Sequence, residues 1–429
     1  MDILIRGGRV IDPGHCDGVA DLYIRDGKIA GLTHGGGSET PPSGCRVIDA
    51  SGMVVVPGLI DLHVHFREPG HEYKETIASG CRAAAAGGFS AVCTMPNTYP
   101  VNDCAQITEF ILSQAKAAEA ARVYPVAAVS PGLKGEGLTE FAELKQCGAV
   151  AFSDDGLPIA SSLLMRRALE YAGGLGMPVI SHCEDPDLSE GGAMNEGETA
   201  TRLGLPGIPN AAESVMVMRD VALSELTGAA VHIAHVSTAE AVNVIRQAKA
   251  RGVRVTAETA PHYFTLTDEA VKDYDTNTKM YPPLRTRGDR EAICEALADG
   301  TLDAIASDHA PHSSIEKKVE FDHAANGIIG LESALPLALK LVHERVLSMA
   351  RLVELMTSGP ARILGQTYGL QTGLAADVTI LAPDLEFTID TSRFVSLSRN
   401  CPFNGWEVKG RAVMTIVDGR VVYEKAKSE

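Results

Sequence analysis

Between residues 58 and 312 the chain repeats one unit, a short apolar or β-branched run, usually followed by a stretch that reads as a helix. The runs are GLIDLHVHF, FSAVCTMPN, RVYPVAAVS, AVAFSDDG, PVISHCED, AVHIAHVS, VRVTAETAPH and DAIASDHAPH, with segments such as CAQITEFILSQAKAAEA and TAEAVNVIRQAKARG between them. Strands that alternate with helices pair in parallel, and eight such repeats predict a closed (β/α)8 TIM barrel. A chain of 429 residues accommodates one barrel and a smaller appended unit.

The two ends of the chain read differently. Short glycine-broken strands come first (DILIRGGRVID, DLYIRDGKIAGL, CRVIDASGMVVVPG) and return at the end (AADVTILAPD, GRAVMTIVDG, RVVYEK). They predict a small β-sandwich domain made from both termini, with the barrel inserted between its halves. The expected division is residues 1–55 and 366–429 for that domain and 56–365 for the barrel. The stretch GGGSETPPSG, Gly35 to Gly44, reads as a surface loop.

Charge and cysteine usage narrow the function classes. A net charge of −17 excludes the basic footprint that nucleic acid or an anionic membrane requires. Nine cysteines, odd in number and without a C-x-x-C pair, read as thiols of a reducing compartment. The start MDILIRGGRVIDPG lacks the basic-then-apolar pattern of a leader, and no run is long enough to span a bilayer. A cytoplasmic protein is the expectation, and a homo-oligomer the base-rate one.

In TIM barrels the active site lies at the carboxyl ends of the strands, and six of the eight runs end in a polar residue suited to binding metal or substrate. In HVH, residues two apart face the same side of a strand, so His63 and His65 look into one space. The other ends supply Asp154 or Asp155, His182, His235 and Asp308. Four imidazoles and two carboxylates suffice for two divalent metal ions sharing one bridging carboxylate; zinc suits this donor set best, with Mn²⁺, Co²⁺ and Fe²⁺ as alternatives.

A lone strand-end histidine is as readily a hydrogen-bonded structural residue, so the weight rests on the joint placement of all six. Two such ions would activate a shared water and polarise a carbonyl, which is the chemistry of hydrolysis or its reverse. Asp308 is then either a pure ligand or also the group that moves a proton to a leaving nitrogen.

Arg67 in HFREPG is expected to face the same cavity as a clamp for a substrate carboxylate, assisted by Asn97 of TMPN and His312 of DHAPH. His262 reads as structural, and His71, His309 and His323 as loop residues. Cys183 should face away from the metal side. Lys317 and Lys318 read as a solvated charge pair in a segment able to close over the site.

Taken together, DLHVHFREPGHEYKETIASG, TMPN, FSDDG, SHCED, HIAHVS, KMYPPLR and ASDHAPH resemble the dihydroorotases of the bacterial type I group, in the amidohydrolase superfamily. The resemblance runs nearly end to end. It implies the reversible cyclisation of N-carbamoyl-L-aspartate to L-dihydroorotate in pyrimidine synthesis, by a hydroxide shared between two metals. It assigns His63, His65 and Asp308 to one ion and His182 and His235 to the other, with Asp155 as the bridge. It places the substrate carboxylate against His65, Arg67, Asn97 and His312.

Hydantoinases, allantoinases and other dihydroorotase types bridge their metals with a carboxylated lysine on the fourth strand, and AVAFSDDG has no lysine. Two positions depart from the family pattern: Tyr281 replaces an asparagine in YPPLR, and Asn326-Gly327 replaces a Phe-Gly pair. The alternatives are a hydantoinase-like enzyme, or an inactive scaffold that binds aspartate carbamoyltransferase.

Overall fold

The computed structural model describes residues 2–35 and 44–426; most of GGGSETPPSG, at 36–43, lies outside the described residues. Eight parallel strands follow one another round the barrel: β1 Leu59–Val64, β2 Phe89–Thr94, β3 Arg122–Ala127, β4 Ala151–Phe152, β5 Val179–Ser181, β6 Val231–Ile233, β7 Val255–Thr259 and β8 Ala304–Ile305. Each run is apolar on both sides because helices cover the outside and side chains fill the inside, so all six residues of β1 and of β2 are buried. Closure between β8 and β1 is made just beyond the strands. Val64 bridges His309, the His65 N–H donates to His309 O at 2.8 Å, and the Ser307 N–H donates to Asp61 Oδ1 at 3.0 Å.

Helices 77–87, 105–118, 162–174, 211–227, 239–250, 287–299 and 331–343 pack on the outside, and their starts are written locally. Thr76 caps the first of these in a reciprocal box with Ser79, and Thr238 caps the helix after β6. Small residues in IASGCRAAAAG let helix 77–87 approach its neighbour closely; a Cβ on Gly87 would stand 2.2 Å from Leu331 O.

The chain ends pair as one eight-stranded sheet. Val54–Pro57 joins Ile3–Asp12 on one side and, antiparallel, Val378–Leu381 on the other. Ile5, Leu22 and Ile24 from the first half and Val378, Ile380 and Ile416 from the second share one buried core. The alternation of apolar and polar residues places these side chains together, and each contributes roughly 1.5–3 kcal/mol on burial. No helix among the described residues is long and apolar enough to cross a membrane.

Candidate active site

Alternation along β1 turns Asp61 and His63 to one side of the strand. His65, the first residue past it, is held by its backbone bond to His309, and its ring lies 5.2 Å from that of His63, centroid to centroid. Opposite them stands Asp155, just beyond β4. Its Oδ2 is 3.2 Å from His63 Nε2 and 3.5 Å from His65 Nε2. Its Oδ1 is 3.3 Å from His235 Nε2 and 3.5 Å from His182 Nδ1. Asp308 completes the group, with Oδ1 3.2 Å from His65 Nε2 and 3.7 Å from His63 Nε2. All six side chains are buried.

Residue type and spacing leave Asp154 and Asp155 open in FSDDG, and this geometry puts Asp155, the one the family resemblance implies, among the histidines. Asp154 turns away and accepts hydrogen bonds from the Ser130 N–H, at 2.9 Å, and the Ser130 hydroxyl.

The outward nitrogens of three imidazoles have acceptors of their own. His63 Nδ1 donates to Glu258 Oε1 (3.2 Å), His65 Nδ1 to Asn97 Oδ1 (2.9 Å) and His182 Nε2 to Glu184 Oε2 (3.0 Å). Each neutral ring that donates there presents a lone pair to the centre. His182 Nδ1 and His235 Nε2 face each other at 3.0 Å, and the buried His63 Nε2 has no well-directed hydrogen-bond partner among the described residues. Lone pairs and carboxylate oxygens converging in a buried space repel one another unless cations lie between them. Two triplets of ligand atoms, His63–His65–Asp155 and Asp155–His182–His235, each lie within 4.8 Å of one another and share Asp155. The donor set therefore fits divalent metal ions.

Burial alone would raise the pKa of Asp155; with no metal bound, a protonated His63 and hydrogen bonds from His182, His235 and His63 hold it well below the usual carboxylate range, supplying the positive charge that a metal ion supplies when the rings are neutral. Burial likewise opposes ionisation of Asp308, and His65 and His63 reverse it. Both carboxylates are therefore ionised and available as ligands at neutral pH. Arg67, His235 and Asp308 adopt left-handed backbone at φ 45°, 37° and 49°. Such conformations cost on the order of 1–3 kcal/mol each and gather at functional sites.

Strand β1 stops at Val64, so alternation does not extend to Arg67; the left-handed turn aims it instead. Its Nε donates to Pro311 O at 3.2 Å, and Nη2 lies 3.4 Å from His312 Nε2. Because His312 Nε2 donates to Asn326 O at 2.7 Å, that nitrogen carries a proton and Arg67 is free to serve another acceptor. Burial lowers the Arg67 pKa to about 10, which leaves it cationic. Arg67, Asn97 and His312 line a cavity of about 190 Å³ together with Asp155, His182, His235 and Asp308. Gly156, at φ 94°, borders it, and a Cβ there would stand 2.8 Å from Asn97 Nδ2. Tyr281 stacks on His182, with centroids 5.7 Å apart.

Some residues lie elsewhere than expected. Lys317 is not solvated: it is 4% exposed and donates to Ala325 O and Gly327 O, whereas Lys318 is exposed. Helix Ser314–Lys317 turns the lysine inward, so the two neighbours point in different directions. His309 follows β8 but is a buried joint of the barrel closure, its Nε2 3.3 Å from Glu75. His262, in the short helix Pro261–Thr265, is buried, has neither ring nitrogen hydrogen-bonded among the described residues, and lies outside both ligand triplets. The Cys183 thiol lies against Asp220, at 3.4 Å. His71 is half-buried and His323 exposed.

The sequence reading missed Glu258, His232, Glu184 and Asp61. Glu258 Oε2 meets His232 Nε2 at 3.2 Å while its Oε1 meets His63. An acid inside a predicted barrel strand, as in VRVTAET, is the signal that could have found it.

Known proteins match this geometry along the whole chain. The Dihydro-orotase-like family model matches residues 52–241 and the Amidohydrolase family model matches 198–423. A dihydroorotase of Desulforapulum autotrophicum is 58% identical over 99% of this chain and 100% of its own length. The chain belongs to the dihydroorotase family of amidohydrolases. A second dihydroorotase, of Geobacter metallireducens, is 56% identical over 99% of this chain and 100% of its own. Among solved structures, the L-hydantoinase (dihydropyrimidinase) of Arthrobacter aurescens superimposes with a TM-score of 0.88 at 27% identity, covering 99% of this chain and 97% of that one. Dihydroorotases and hydantoinases thus share one scaffold, and the side chains around the cavity carry the distinction between them.

Proposed function

We propose that this member of the family is a binuclear dihydroorotase that interconverts N-carbamoyl-L-aspartate and L-dihydroorotate, with zinc as its metal. The observation that carries the reading is the sharing of Asp155 between two histidine pairs, in a cavity also lined by the half-buried, cationic Arg67. In this reading His63, His65 and Asp308 would hold one ion, His182 and His235 the other, and Asp155 would serve both. Bound there, the ions supply a water of lowered pKa and polarise the ring amide carbonyl.

The chain's own side chains account for the rest. Arg67 and the Asn97 Nδ2 group bind the substrate carboxylate, with His65 and His312 bordering the same cavity, and so fix which ring carbonyl faces the cluster. Asp308 sits at the edge of the cluster, ionised. In hydrolysis it takes a proton from the attacking water and delivers it to the ring nitrogen as the C–N bond breaks. In the biosynthetic direction it takes a proton from the ureido nitrogen as that nitrogen attacks the protonated side-chain carboxyl group, and returns it to the departing hydroxyl, which leaves as water. Exclusion of bulk water from the buried cluster strengthens each of these contacts.

The deciding experiment is metal analysis of the purified chain, coupled to turnover of dihydroorotate, hydantoin and allantoin without any carbamoyltransferase present. Two equivalents of metal and a preference for dihydroorotate are expected. Preference for hydantoin or allantoin would reject the substrate. A metal-free chain that stays inactive with added Zn²⁺ would reject the enzyme in favour of a carbamoyltransferase-binding scaffold.

A further inference from the structure

Residues 322–327 form one wall of the cavity through Asn326 and Gly327. The backbone of this segment is gripped from behind by two buried lysines. Lys279 Nζ donates to Asp322 O at 2.7 Å and to Ala324 O at 2.9 Å. Lys317 Nζ donates to Ala325 O at 2.7 Å and to Gly327 O at 3.0 Å. Asn326 O, between the two carbonyls that Lys317 holds, accepts from His312 Nε2 on the cavity side. Five carbonyls of a six-residue segment are thus held by two ammonium groups and one imidazole.

Lys279 and Lys317 are 6% and 4% exposed, and neither forms an ion pair with a carboxylate among the described residues. Desolvating two neighbouring ammonium groups is unfavourable, and carbonyl dipoles offset that only in part. Apolar side chains would fill the same space at lower cost. What they would not do is fix the direction of successive carbonyls, and with them the wall and the ring of His312.

We propose that Lys279 and Lys317 are positioning residues for substrate recognition. By clamping the carbonyls of 322–327 they set the Asn326–Gly327 wall against the substrate ring and, through Asn326 O, orient His312 beside Arg67. Neither lysine touches substrate. The clamp acts on binding, not on the metal cluster, because its contacts end at the wall and at His312. Gly327 shows how little slack the wall has: its φ is 106°, and a Cβ there would stand 2.6 Å from the Ala310 Cβ.

The inference rests on the dihydroorotase reading for the identity of the substrate. Lys317→Met and Lys279→Met are compared with the unaltered, metal-loaded chain by steady-state kinetics, metal content and hydrogen–deuterium exchange of the 322–327 amides. The expected result is a KM raised about 10-fold or more, kcat within about threefold, unchanged metal content and faster exchange in 322–327. Faster exchange with an unchanged KM would show a merely structural clamp and overturn the proposal. So would a loss of metal accompanied by equal falls in kcat and kcat/KM.

If either lysine variant does not fold, Gly327→Ala disturbs the same wall from the cavity side. It should reproduce the KM-selective defect, and unchanged kinetics there would reject the wall's role. Should the unaltered chain ignore dihydroorotate, the functional reading fails separately, and the same comparison is made on whichever cyclic amide it turns over.

Discussion

Glu258 holds His63 by its outward nitrogen: Oε1 lies 3.2 Å from His63 Nδ1, inside a barrel where neither side chain meets solvent. A ring fixed at Nδ1 can present only Nε2 to the cluster, so a residue that is not itself a ligand sets the tautomer of one that is. Glu258→Gln keeps an acceptor but removes the charge. Metal affinity should fall about 10–100-fold, as read by chelator competition, with the fold retained. Unchanged affinity would mean that His63 is oriented by packing alone.

Asp155 should be indispensable to the whole cluster. In Asp155→Ala the histidine pairs lose the anion between them, and two cations would face each other without screening. Metal content should fall below one equivalent and turnover should vanish. Retention of two ions by the variant would show that the bridge lies elsewhere.

Arg67 should govern binding more than chemistry. Arg67→Met removes the cation at the carboxylate side of the cavity and leaves the ligand set intact. A loss on the order of 10²-fold in kcat/KM, mostly through KM, is expected, in line with about 2–5 kcal/mol for truncating one partner of a buried charge pair. Removal of the substrate's carboxylate should cost the unaltered enzyme a similar factor and the variant almost nothing.

Glu332 predicts a pH dependence of stability away from the site. Burial lifts its pKa to about 7, although the Val395 and Ser396 N–H groups donate to it. The folded state therefore binds this proton more tightly than the unfolded chain. The associated stability is complete below the unfolded pKa, near 4.5, and is lost as pH rises through about 7. The loss amounts to roughly 3 kcal/mol. Denaturant titrations of Glu332→Gln between pH 5 and 8 should show a flatter profile than the unaltered chain, and parallel profiles would contradict the assignment.

The barrel was legible because its signal is local and repeated. GLIDLHVHF and VRVTAETAPH each state a strand without help from distant residues, and eight such runs leave few ways to bury their apolar faces. The ligand set was partly legible for the same reason, since strand ends in a barrel converge. Arg67 was expected at the cavity and lines it, though by a left-handed turn and not by strand alternation. Lys317 was misread because EKK looks solvated in sequence, and only a helix four residues long decides which lysine turns in.

By itself the sequence determined the order of strands and helices, the residues that bear charge or a lone pair, and the strand ends on which they sit. Periodicity and chemical type are properties of neighbours along the chain. The tertiary structure alone decided that Asp154 turns to Ser130, that Glu258 backs His63, and that two lysines grip the carbonyls of 322–327. Those outcomes depend on side-chain direction and on contacts between residues far apart in the chain, such as the 195 positions that separate His63 from Glu258. Distances of that kind exist only once the barrel has closed.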